Sequence, residues 1–310
     1  MGSGSYSSKD WSDFSTSRGY HKATTKTSDI YASRDLHEDL DPKKFTVRES
    51  VDSDDNPNST PIILGLDVTG SMGRVLDRIA RQGLKTVCEE IFSRKPVSDA
   101  HVAILGIGDV LYDRAPFQAT QFEADVRIFE HLEKLFLEGG GGANDSESYI
   151  LAWYFAKYRT SIDSFNKRGQ KGFIFTIGDE EITPKMSSQD ISRFFGDTDA
   201  QDFTAKSLYE AVYPEWNIYH IIIKETAHAS HNFESVKNSW EDVIGAQRVI
   251  PLEDFTALGE TIVSVLEVAN GKPIEKVVNS WEDAIAVAVS GALVNVEDSR
   301  PKVKSLDAVL

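Results

Sequence analysis

From residue 62 onward the chain alternates short, continuously apolar runs with longer stretches whose apolar residues recur every three or four positions. Ile62-Ile63-Leu64-Gly65-Leu66, residues 101–108, residues 172–177 and, interrupted by Asn217 and His220, residues 216–223 are the runs. Each is too short for a helix and bounded by turn residues, as strands buried on both faces are. Between them Val75, Leu76, Ile79, Gly83, Val87, Cys88, Ile91 and Phe92 mark a helix over residues 72–93. Ile128, Phe129, Leu132, Leu135 and Phe136 mark a second over 126–137. A third is expected from about Ser146, carrying Tyr149, Ile150, Trp153 and Tyr154. A short edge strand falls near 117–120 and a last one near 247–251, with helices over about 233–244 and 254–270. Residues 187–195 and 204–213 read as short helices within the connection after Asp179. Strands alternating with helices predict an α/β protein: a doubly wound, mostly parallel, six-stranded sheet with helices on both faces.

The ends of the chain break this pattern. Residues 1–60 are rich in Ser, Thr, Asp and Lys and lack periodicity, so they are expected to be disordered or to wrap the domain as an arm. Their aromatics, Trp11, Phe14, Tyr20 and Tyr31 among them, suit the second option. Residues 61–272 form the expected domain and 273–310 a C-terminal helical extension, with Val277, Trp281, Ala284, Ile285, Ala288 and Ala292 on one stripe over 276–293. Asn238-Ser239-Trp240-Glu241-Asp242 recurs as Asn279-Ser280-Trp281-Glu282-Asp283. The recurrence fits two helix starts sharing capping chemistry, or a duplication.

Charge narrows the partners. With 49 acids against 33 basic residues the net charge is −16, which argues against nucleic acid, where phosphate contacts need clustered Lys and Arg. The single cysteine, Cys88, cannot form an internal disulfide and lies on the apolar stripe of the first helix. The lack of disulfides, of a secretory signal in residues 1–20 and of an apolar run long enough to span a bilayer points to a cytoplasmic protein with no membrane contact.

The chemistry concentrates where the first strand ends. Asp67-x-Thr69-x-Ser71 sets a carboxylate and two hydroxyls at alternate positions on a strand-to-helix turn. Hard oxygen groups of this kind suit Mg²⁺, with Mn²⁺ or Ca²⁺ as alternatives, and the helix N-terminus favours an anionic ligand nearby. An isolated match of this pattern is more readily read as helix capping. Two further loops change that reading. Gly139 to Gly142 leads into Ala143-Asn144-Asp145-Ser146-Glu147, and residues 173–178 form an apolar strand ending in Asp179-Glu180-Glu181.

With three loops in this order, the sequence from about 60 to 270 resembles a von Willebrand factor A domain carrying a metal-ion-dependent adhesion site. Asp67-Val68-Thr69-Gly70-Ser71-Met72 matches the first motif of that family without a gap. The resemblance implies Mg²⁺ held by Thr69 and Ser71 directly, and by Asp67, Asn144 and Asp179 directly or through water. It also implies an open coordination position filled by an Asp or Glu carboxylate of a protein partner. Intracellular bacterial members of the family commonly act as adaptors, some beside AAA+ ATPases. One departure stands out: the family usually carries Thr where Asn144 falls, and Asp145 next to it is an alternative ligand.

Catalytic readings find less support. His228-x-x-His231 lacks the Glu of a zinc protease motif, and His220 lies inside a strand. Thr69-Gly70-Ser71-Met72-Gly73 lacks the first glycine of a nucleophile elbow. The glycine run has no Lys-Ser/Thr ending, so it is no P-loop. A metal-dependent hydrolase would need a positioned base, for which Glu180 is the visible group. Asp109, ending the second strand, and Glu180 or Glu181 are further acids able to support the ion's ligands. The expectation is a non-catalytic, cation-dependent protein-binding module. A metal-dependent hydrolase, or a fold-stabilising ion, is the alternative.

Overall fold

The computed structural model describes residues 4–20, 22, 24–138 and 146–300. Six strands form the central sheet: β1 (Thr60–Asp67), β2 (Ala100–Ile107), β3 (Phe117–Ala119), β4 (Gly172–Gly178), β5 (Trp216–Ile223) and β6 (Val249–Leu252). Their spatial order is β6-β5-β4-β1-β2-β3, all parallel except β3, which runs antiparallel to β2. The architecture is the doubly wound α/β sheet that the sequence predicts.

Alternation along the strands sorts the core into two layers. Ile62, Leu64 and Leu66 of β1 face the same layer as Phe173, Phe175 and Ile177 of β4 and Tyr219, Ile221 and Ile223 of β5. Ile63, Ile174, Ile218 and Ile222 face the other. On the first face lie the helix starting at Gly73 and the helix Leu258–Ala269; on the second lie Ile150–Tyr158, Ala205–Val212 and Ala227–Ile244. Both faces of the central strands are therefore dry, which is why the runs are continuously apolar rather than alternating.

Local differences from the sequence expectation have identifiable causes. The first helix is Gly73–Arg78, a π turn Ile79–Gly83, then Leu84–Arg94. Ser146–Glu147 is not a helix start: it pairs in parallel with Glu181–Ile182, and the helix begins only at Ile150. The C-terminal stripe is two helices, Ile274–Val278 and Asp283–Ala292, broken at residues 279–282. The recurring pentapeptide thus adopts two conformations. Asn238 to Asp242 lies inside Ala227–Ile244, while Asn279 to Glu282 forms the break. This corrects the reading of two helix starts with shared capping chemistry, since only the second copy precedes a helix start.

The terminal segments join the core. Trp11, in the helix Ser8–Arg18, is buried 4.2 Å from the Phe129 ring, and Tyr31 donates its hydroxyl to Leu76 O at 2.9 Å. Arg48–Ser50 pairs in parallel with Thr160–Ile162. Val277, Val289, Ala292, Leu293 and Val296 are buried in the layer that holds Leu258–Ala269. Among the described residues no helix is long and apolar enough to cross a membrane.

Candidate metal centre

Strand order reverses around β1: the chain leaves β1 for β2 on one side and reaches β4 on the other. The carboxyl ends of β1 and β4 therefore open a crevice between their diverging connections. Asp67 is the last residue of β1, and Asp179 directly follows β4. Val68 extends the ladder by donating to Ile107 O at 2.9 Å, Thr69 stays extended, and a 3₁₀ turn over Gly70–Met72 buries Met72 and starts the helix. Thr69 and Ser71 are held at alternate positions above the crevice.

Hydrogen bonds tie these groups together. Asp67 Oδ1 accepts from Thr69 N at 2.9 Å and from Thr69 Oγ1 at 2.6 Å. Thr69 Oγ1 lies 3.4 Å from Ser71 Oγ, which donates to Asp179 Oδ1 at 3.0 Å. Each hydroxyl thus gives its one hydrogen to a carboxylate, Thr69 to the end of β1 and Ser71 to the end of β4, and the two oxygens stand side by side between them. Asp67, Thr69 and Asp179 are buried, while Ser71 is exposed and marks the solvent side. Tyr149 closes the far side, its hydroxyl donating to Asp67 Oδ2 at 3.0 Å.

The electrostatics of this crevice are unbalanced. Burial, and then the charge of Asp179, push the Asp67 carboxyl well above the ordinary range, against the bonds from Thr69 and Tyr149. Burial also raises Asp179, opposed by the hydroxyls of Thr226 and Ser71. The Thr226 hydroxyl is itself given to Ile223 O at 3.1 Å, and Asp179 Oδ2 is left buried with no hydrogen-bond partner among the described residues. A bound cation would reverse these shifts by favouring both carboxylates ionised.

Asp67, Thr69, Ser71 and Asp179 are brought together as the sequence predicts. Asn144, and Asp145 beside it, lie outside the described residues. Asp109 sits on the same sheet edge, but its Oδ1 accepts from Leu111 N at 2.9 Å, bracing its own turn. Glu181 Oε2 lies 3.2 Å from His228 Nε2, and Glu180 lends its carbonyl to Trp240 Nε1 at 3.1 Å. His220 is a core residue: its ring stacks on Trp240 with centroids 3.5 Å apart, and Thr176 Oγ1 is 2.9 Å from its Nδ1. His231 Nδ1 lies 2.7 Å from Ala227 O, so His228 and His231 are engaged separately. Among the described residues no three acid, histidine or cysteine side chains form a metal-ligand set by themselves. The hydroxyls of Thr69 and Ser71 belong to any set built here.

Two neighbours escaped the sequence reading. The sequence pattern places Tyr149 on a helix face, and only the folded register aims its hydroxyl at Asp67. Glu147 is almost fully buried, its Oε2 has no hydrogen-bond partner among the described residues, and burial followed by the Asp67 charge raises its carboxyl strongly. Its position in the acid-bearing stretch after the glycine run was the available signal.

No family model matches the chain, and no curated protein matches it. Solved structures give distant likenesses. The pilus adhesin SpaC from Lactobacillus rhamnosus GG aligns over 70% of this chain and 32% of its own, at 11% identity and TM-score 0.45. A von Willebrand factor type A structure from Catenulispora acidiphila covers 70% of this chain and 44% of its own, at 14% identity and TM-score 0.39. BatB from Bacteroides thetaiotaomicron covers 66% and 95%, at 12% identity and TM-score 0.41. The chain thus spans about a third of the SpaC chain.

Proposed function

We propose that this protein is a von Willebrand factor A-type module that binds a partner protein through a divalent cation, without catalysing a reaction. The observation that carries the reading is the convergence of Asp67, Thr69, Ser71 and Asp179 across the switch point, each hydroxyl given to one carboxylate, with Asp179 Oδ2 buried and accepting no hydrogen bond among the described residues. Carboxylates removed from water are costly unless a cation or donors accompany them. Oxygen-only donors favour Mg²⁺, Mn²⁺ or Ca²⁺ over softer ions.

In this reading Asp67 and Asp179 supply charge, Thr69 and Ser71 supply hydroxyl oxygens, and Asn144 contributes from the second loop. The cation supplies a Lewis-acidic position for an Asp or Glu of the partner. Ser71, the solvent-facing member, stands where that carboxylate would arrive. An AAA+ ATPase is one class of partner consistent with the resemblance of the sequence.

Co-purification from a lysate in Mg²⁺, in EDTA, and with Asp67→Ala and Ser71→Ala tests this. Partner recovery is expected in Mg²⁺ alone, with native circular dichroism throughout. Equal recovery in EDTA would place the interaction elsewhere. Phosphatase or esterase turnover that follows Mg²⁺ would favour the hydrolase instead.

A further inference from the structure

Three buried rings from three different elements meet beside the candidate site. Trp240, in the helix Ala227–Ile244, lies face to face on His220 of β5 with centroids 3.5 Å apart. Tyr149 meets both rings edge-on, each at 5.2 Å between centroids. All three side chains are fully buried. Each ring also holds a different part of the site's frame. The Tyr149 hydroxyl donates to Asp67 Oδ2 at 3.0 Å, and His220 Nδ1 lies 2.9 Å from Thr176 Oγ1 on β4, three positions before Asp179. Trp240 Nε1 donates to Glu180 O at 3.1 Å, one residue after Asp179.

The destination of that indole hydrogen is the telling detail. A buried indole N–H ordinarily finds an acceptor. In the same core layer Trp153 and Trp216 are fully buried and leave Nε1 without a partner among the described residues. Trp240 instead gives its hydrogen to the loop that carries Asp179. Its helix grips that loop twice more: Ser239 Oγ accepts from Ile182 N at 3.3 Å, and His228 Nε2 lies 3.2 Å from Glu181 Oε2. Three successive residues after Asp179 are thus held by one helix.

We propose that Trp240, with Ser239 beside it, is a positioning residue for the cation site. Its ring sets Asp67 through Tyr149, its N–H sets the Asp179 turn through Glu180 O, and the two together fix the gap that an ion would bridge. The proposal rests on the cation-binding reading above and deepens it by naming what spaces the two carboxylates. Close-packed rings transmit a displacement rather than absorb it, so a change at Trp240 reaches both sides of the crevice. Residues that orient ligands from behind in this way alter metal affinity without touching the ion.

Calorimetric titration of the full chain with MgCl₂ and MnCl₂, repeated on Trp240→Phe, Ser239→Ala and Trp216→Phe, tests the assignment together with thermal melts. Trp216 is the control: it lies in the same layer but pairs with Gly172 at the opposite end of β4 from Asp179. Trp240→Phe is expected to lose about tenfold in cation affinity and Ser239→Ala about threefold, the latter with a near wild-type melt. Trp216→Phe is expected to melt lower yet bind within about twofold of wild type. Wild-type affinity in both Trp240→Phe and Ser239→Ala overturns the assignment and leaves the site standing. Equal losses in Trp216→Phe and Trp240→Phe would show affinity following core stability alone, and also overturn it. If Trp240→Phe does not fold, Ser239→Ala set against Trp216→Phe decides by the same criterion. A wild-type protein that binds neither cation overturns the proposed function, and this proposal with it.

Discussion

The Tyr149 hydroxyl donates to Asp67 Oδ2 at 3.0 Å across 82 positions of sequence, and Gly178 makes the room for it. A Cβ on Gly178 would stand 1.9 Å from the Tyr149 hydroxyl oxygen. The end of β4 thus admits the ring that orients the carboxylate ending β1. Tyr149→Phe should cost about 1.5–3 kcal/mol, the range for a hydrogen bond to a charged group. Gly178→Ala should cost more, since the ring must leave. Denaturant unfolding ranks the two, and an unchanged Tyr149→Phe midpoint would mean the bond adds nothing.

Cation should stabilise the protein modestly and not create its fold. The layers on both faces of the sheet close without any ion, and the ligands stand at one edge. Linkage gives roughly 3 kcal/mol at a hundredfold excess over Kd. Circular dichroism in EDTA should remain native at room temperature; unfolding there would contradict a preformed site.

The two copies of the Asn-Ser-Trp-Glu-Asp pentapeptide should differ in weight. Trp240 is fully buried, stacked on His220 and bonded to Glu180 O, whereas Trp281 is partly exposed, donating to Ser264 Oγ at 2.8 Å beneath Arg94. Trp240→Ala should cost about 3–5 kcal/mol and Trp281→Ala less. Thermal melts of the two variants decide it, and equal losses would reject the ranking.

The N-terminal arm should be held chiefly by its aromatic anchor. Trp11 packs against Phe129, Phe14 and Tyr20, and Arg81 ties the arm by donating to Tyr20 O and Thr25 O while paired with Asp77. Trp11→Ala should cost about 3 kcal/mol and speed protease cleavage before residue 48. Unchanged cleavage would show that the backbone bonds to Arg81 suffice.

Acid should weaken the fold through His131. Burial, then the charges of Lys134 and Arg48, lower it from 6.5 to about 4. As pH falls below 6.5 the unfolded chain takes up a proton that the native state refuses until about 4, so stability drops across that window and levels off below it. His131→Gln should flatten that part of the profile of Tm against pH; an unaltered slope would assign the loss to other groups.

Much of this protein is decided locally. Short apolar runs bounded by turn residues favour strands buried on both faces, and Asp67 and Thr69 build their mutual hydrogen bonds within three residues. Those features follow from side-chain chemistry and short-range geometry, so residue order alone carries them. Other features depend on where distant segments meet. The bond from Ser71 to Asp179 spans 108 positions, and it exists because β1 and β4 pair as neighbours in register. Pairing with Glu181–Ile182 makes a strand of Ser146–Glu147 and delays the helix to Ile150, against the helical pattern of the sequence. The same pentapeptide continues a helix at Trp240, where it meets His220, and breaks one at Trp281, where it meets Ser264. In those segments the packing of distant neighbours, and not local preference, set the structure.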